Sequence, residues 1–156
     1  MLLFRLGLRW GALLALAVWF GGFTFYAAVV VPVLEDVMGR FEAGANVTRE
    51  VTRTLNAIGV ATLAVWWVLV VVEGPLGDIW SRRGRVALLA LNSAILAGLF
   101  AAHRVLDSRI ETDQMAGFYR LHESYLIAST VQWGANIALV GLSLWIWYGS
   151  AARPER

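Results

Sequence analysis

The two histidines are the residues of this 156-residue chain best suited to cofactor chemistry. His103 follows the third apolar segment and His122 precedes the fourth, so antiparallel helices would bring both imidazoles to one level. Two histidines on facing helices can ligate haem b axially, and Arg104 and Arg120 are suited to bind its propionates. A second interpretation pairs the histidines with nearby carboxylates: Asp107, Glu111 and Glu123.

A polar pattern runs along the fourth apolar segment. Its members recur every three, four or seven residues and therefore share one face of a helix. They are His122, Tyr125, Ser129, Gln132, Asn136 and Ser143. Such a face either forms hydrogen bonds between helices or lines a passage for a small molecule or metal, with Tyr125, Ser129, Gln132 and Asn136 as the polar lining.

Several other chemistries are excluded or disfavoured. The chain has no cysteine, and all 13 of its basic residues are arginine, which excludes disulfides, thiolate metal sites and Schiff-base lysines. Met38 and Met115 fall on the same side as the histidines, which would suit copper, although the residues leave the identity of any metal open. No nucleophile elbow, phosphate-binding loop or dinucleotide-binding pattern occurs. The sequence therefore favours a role other than catalysis.

The elements that would position these residues are membrane helices. The composition is 59% apolar and only 15% charged, far from that of an ordinary soluble domain. We expect an all-α integral membrane four-helix bundle that forms a single domain over residues 1–156. The predicted spans are residues 10–34, 54–72, 86–103 and 124–148, with helix extensions over 46–54 and 113–124 on the external side.

The distribution of charge predicts the side of the membrane on which the termini lie and disfavours some functions. Four spans put both termini on one side, and seven arginines near that side against six opposite favour the cytoplasm. The uncharged runs inside the spans disfavour active ion transport, which usually needs ionisable groups near the midplane. A net charge of +2, dispersed along the chain, argues against nucleic-acid binding.

Three segments carry a resemblance to a known family: Trp19-Phe20-Gly21-Gly22, Val29-Val30-Val31-Pro32 and Leu55-Asn56-Ala57-Ile58-Gly59. Residues 9–72 resemble the opening half of copper-resistance-D-type membrane proteins and their four-helix relatives. Arg9 and Trp10 stand where such proteins often have a histidine before the tryptophan. The resemblance implies a small helical bundle in the inner membrane of a bacterium, linked to metal or redox systems.

The leading hypothesis is a non-catalytic subunit or accessory protein of a larger inner-membrane complex, with a redox or energy-converting complex as one candidate. Its partners would be the lipid bilayer and either other membrane subunits or further copies of the chain. Stripes of small residues provide the expected packing faces: Gly7, Gly11, Ala15 and Gly22 in the first span, and Ala90, Ser93, Ala94, Ala97, Gly98, Ala101 and Ala102 in the third. The alternatives are a haem b electron carrier that uses His103 and His122, and a passage along the polar face of the fourth span.

Overall fold

The computed structural model describes residues 2–38, 43–74, 78–111 and 118–151, and every element in these ranges is helical. Helix α1 covers Leu2–Phe25, a π-helical turn covers Tyr26–Val30, and α2 covers Val31–Met38. Helix α3 covers Ala43–Glu73, α4 covers Ile79–Glu111, and α5 covers Phe118–Ala151. The prediction of an all-α chain is confirmed.

Four helical stretches are long and apolar enough to cross a membrane. They are Leu3–Val37, which joins α1, the π-helical turn and α2, then Val47–Glu73, Ile79–Ser108 and Arg120–Gly149. Each predicted uncharged run lies inside one of them, and residues 46–54 belong to α3. The predicted extension over 113–124 is helical from Phe118, and residues 113–117 lie outside the described residues. The side of the membrane on which the termini lie stays a prediction.

The π-helical turn has a local cause in Pro32, which lies just beyond it. Proline has no backbone N–H, and its ring crowds the carbonyl of the residue four positions earlier, here Ala28. An inserted wide turn relieves that crowding without ending the helix. The first span therefore continues through the proline to Val37.

The helices pack in chain order, with α1 on α3, α3 on α4 and α4 on α5. Helices α1 and α3 are in tight contact at Gly59, where an added Cβ would lie only 2.6 Å from the ring of Trp19. Gly22 meets Leu55 in the same interface, at 3.1 Å from a hypothetical Cβ. Two of the segments that carried the family resemblance therefore pack against each other.

The connection between α3 and α4 contains signals for both helix ends. Gly74 has φ +67°, the left-handed conformation that terminates many helices and that glycine adopts without strain. Asp78 precedes α4 as its N-cap: it accepts hydrogen bonds from the Ser81 hydroxyl and from the backbone N–H of Trp80. The bond from Ser81 lowers the pKa of the Asp78 carboxyl below its usual value.

Candidate functional site

The polar face of α5 is turned into the bundle. Tyr125, Ser129, Gln132, Asn136 and Ser143 are each at most 8% exposed. His122, which the sequence placed on the same face, is exposed. The buried polar face therefore begins one turn later than its sequence pattern indicates.

Two hydrogen bonds join this face to other helices. The Asn56 amide donates to the Tyr125 hydroxyl at 3.3 Å, which joins α3 to α5. The Gln132 amide donates to the backbone oxygen of Asn92 in α4 at 3.2 Å. The Ser129 hydroxyl instead donates to the backbone oxygen of its own helix one turn earlier. The bonds of Tyr125 and Gln132 correspond to hydrogen bonding between helices, one of the two predicted uses of this face.

A small cavity lies beside the polar face. Its inner wall is formed by Asn56, Ser129, Gln132 and Asn136, and its volume, counted as space for the centre of a water-sized sphere, is about 20 Å³. That volume holds one water-sized group. Asn136 is 4% exposed, and its side-chain oxygen has no hydrogen-bond partner among the described residues.

Phe20 and Trp133 line the cavity from α1 and α5. Together with Thr24 they form an aromatic seam between these two helices, which we define as Phe20, Thr24 and Trp133. The rings of Phe20 and Trp133 stack at 5.0 Å between centroids. The Trp133 indole N–H donates to the Thr24 hydroxyl at 3.2 Å, and both residues are exposed on the outside of the bundle. Trp133 therefore both lines the cavity and reaches the outer surface of the bundle.

An apolar residue follows Asn136 on the polar side of α5. Leu139, one turn after Asn136, is fully buried in the apolar core. Ser143 lies beyond it and does not line the cavity. A passage along the polar face of the fourth span stays a prediction.

The candidate haem residues lie at the end of the bundle where α3 begins. His103 Nε2 is 3.6 Å from a carboxylate oxygen of Asp107, and Arg49 is 3.0 Å from the other oxygen, so α3 and α4 are joined here. The side chains of His122, Arg104 and Arg120 are exposed. Neither histidine lines the cavity. The contact between His103 and Asp107 matches the carboxylate interpretation, and haem ligation stays a prediction.

The copper hypothesis falls partly on residues whose side chains are not described. Met115 and the side chain of Met38 lie outside the described residues. Within the described ranges, no cluster of three or more histidine, cysteine, aspartate or glutamate residues is arranged to hold a metal ion. The identity of any metal therefore stays open.

A buried charged cluster, which the sequence analysis missed, closes the opposite end of the bundle. The Glu73 carboxylate accepts from Arg9 Nε and from Arg85, each at 2.6 Å. The side chain of Glu73 is fully buried, and that of Arg85 is 4% exposed. The Arg9 guanidinium also lies 4.9 Å from the ring centre of Trp147. We call Arg9, Glu73 and Arg85 the charge clamp; together with Trp147 it connects all four membrane-length helices.

Comparison with known protein families identifies the family of this chain. Residues 14–116 match a family described as a domain of unknown function, DUF4149. The chain belongs to the DUF4149 family. The match contains Trp19, Gly22, Asn56 and Gly59, whereas the polar face of α5 follows it along the chain. No curated protein and no solved structure matches the sequence.

Family membership and the four apolar helices together make this DUF4149 protein a multi-pass integral membrane protein. The resemblance to copper-resistance-D-type proteins receives no support from the comparisons and stays a prediction.

Proposed function

We propose that this DUF4149 protein is a non-catalytic subunit or accessory protein of a larger inner-membrane assembly, and that it binds its neighbour through the outer face of α4. The supporting observation is the direction in which the small residues of α4 point. We define the α4 small-residue face by its exposed members: Ala87, Ala90, Ala94, Ala97, Gly98 and Ala101.

The spacing of this face suits contact with another helix. Ala87, Ala94 and Ala101 are separated by seven residues, so they lie in one line along α4. Small side chains let two backbones approach closely, and in a membrane this packing contributes to association because lipid provides no hydrophobic drive between helices. Of the small residues of α1, Gly22 packs inward against Leu55, whereas Gly7 and Gly11 are exposed.

The interior of the bundle supports a structural role. The fully buried carboxylate of Glu73 bonds two guanidinium groups of its own chain. Polar groups of α5 likewise bond to α3 and α4. The described part of the chain thus uses its buried polar groups largely to hold its own helices together, and leaves an outer surface for a partner.

The test is the size of the particle extracted gently from native membranes. On a native gel the wild-type protein should migrate above the mass of a single chain in its detergent micelle. Ala94→Leu should shift the protein toward that smaller species, because the larger side chain separates the two backbones. Val131→Leu, on an exposed position of α5, is the matched control and should leave the migration unchanged. A wild-type protein that runs as a single chain and captures no partner would overturn the proposal.

A further inference from the structure

The cavity behind the aromatic seam has the features of a binding site for a membrane-dissolved molecule. It lies at the middle of two membrane-length helices: Phe20 is near the centre of Leu3–Val37, and Trp133 is near the centre of Arg120–Gly149. A molecule dissolved in the bilayer meets the seam directly. It needs to displace only side chains, because α1 and α5 are joined here by Phe20, Thr24 and Trp133 rather than by close backbone packing.

The polar chemistry of the inner wall selects the kind of group that binds. Asn56, Ser129 and Gln132 already donate hydrogen bonds within the protein. The side-chain oxygen of Asn136 is buried and lacks a partner in the described part of the chain. An unpaired carbonyl in an apolar environment is unfavourable, so the site favours a ligand that donates a hydrogen bond.

Two further properties limit the chemical class of the ligand. All the described residues that line the cavity are neutral, and an ion at this depth would lie in hydrocarbon without a counter-charge. The cavity has room for about one hydroxyl group. The rings of Phe20 and Trp133 stack on each other, and an aromatic ring that enters between them would stack on both flat faces. We propose that the seam admits a neutral phenol from the bilayer, with its hydroxyl donating to Asn136 and its ring lying between α1 and α5.

This site does not depend on assembly through α4. An experiment can therefore refute phenol binding without refuting the proposed assembly, and the reverse. The binding probe is 4-propylphenol, titrated into the full-length protein in lipid nanodiscs, with empty nanodiscs subtracted. Binding should be saturable. The methyl ether 4-propylanisole has the same ring but no donor, and it should bind roughly tenfold more weakly, which is the factor expected for one lost hydrogen bond.

Variants test the role of each wall. Asn136→Leu should weaken phenol binding roughly tenfold, and Asn136→Ala gives the same loss of the acceptor should leucine not fit. Ser143→Ala is the matched control, because Ser143 is a buried polar residue of α5 outside the cavity, and its affinity for the phenol should equal that of wild type. Thr24→Val removes the acceptor for Trp133, so it should speed association of the phenol.

Several results would overturn the proposal. The first is an absence of saturable phenol binding to wild type, which is expected if the cavity holds only water. The second is equal binding by wild type and the Asn136 variants, or equal binding of the phenol and its ether. The third is competition by sodium or tetramethylammonium ions, which would indicate a cation site. An unchanged association rate in Thr24→Val would exclude the seam as the route.

Discussion

Replacing Glu73 with glutamine should destabilise the bundle more than almost any other single polar substitution. The carboxylate is fully buried and accepts two charged hydrogen bonds at 2.6 Å. Glutamine keeps the shape but leaves two guanidinium groups facing a neutral side chain. Arg85 is 4% exposed and cannot turn to water, and breaking a buried ion pair typically costs about 3–5 kcal/mol. We expect a loss of that size in the free energy of unfolding.

The structure also predicts how the loss of stability ranks among related variants. Arg9 is 24% exposed and Glu73 would keep Arg85 as its partner, so Arg9→Gln should cost less than Glu73→Gln. The double variant Glu73→Leu/Arg85→Leu removes both buried charges and should recover a large part of the lost stability, because apolar replacements of buried ion pairs are often tolerated. Glu50→Gln breaks an exposed pair with Arg53 and should change stability by less than about 1 kcal/mol.

The assay is reversible unfolding by SDS in mixed micelles, followed by far-ultraviolet circular dichroism and tryptophan fluorescence. The two signals should change together if the bundle unfolds as a unit. If Glu73→Gln lost no more stability than Glu50→Gln, the charge clamp would not hold the four helices, and the reasoning from burial would be refuted.

Two further variants test local packing and capping. Gly59→Ala should lower the free energy of unfolding by about 1–3 kcal/mol, because its Cβ would lie 2.6 Å from Trp19, whereas Gly141→Ala adds a methyl group in open space and should be nearly neutral in the same unfolding assay. Asp78 caps α4 as a carboxylate of lowered pKa, so its contribution is present at neutral pH and lost as the pH falls through that lowered pKa. The difference in thermal unfolding midpoint between wild type and Asp78→Ala should therefore shrink on acidification; a difference independent of pH would contradict the role of the charge.

The four helices and the polar face of α5 could be predicted from the sequence because both depend on periodicity and on stretches without charge. The spacing of Tyr125, Ser129, Gln132 and Asn136 is enough to place them on one side of a helix. Sequence spacing does not give the direction of that side relative to its neighbours, which is why exposed His122 was grouped with buried residues. The orientation of a histidine ring has the same limit. The spacing of four residues lets His103 meet Asp107, as the carboxylate interpretation expects, but it does not show whether the ring faces that carboxylate or another helix.

The charge clamp and the outward direction of the α4 small-residue face could not be predicted in the same way. Glu73 ends an apolar run and Arg85 precedes one, and charged residues at such places normally face water. In the structure Arg85 and Glu73, twelve residues apart, meet inside the bundle. The sequence predicts a packing face at Ala94 and its neighbours but not its direction, because hydrophobicity does not separate lipid-facing from helix-facing positions in a membrane.

The central claim, that α4 presents its small-residue face to a neighbouring protein, has a direct test because the chain contains no cysteine. Single-cysteine variants along that face, such as Ala94→Cys, would be treated in native membranes with a cysteine-to-lysine cross-linker and with a mild oxidant. Val131→Cys on α5 serves as the control. Adducts of defined mass from Ala94→Cys, absent from the control, would identify a neighbouring subunit or a second copy of the chain. Equal, unspecific labelling of both positions without such an adduct would show that α4 faces lipid and would contradict the proposed function.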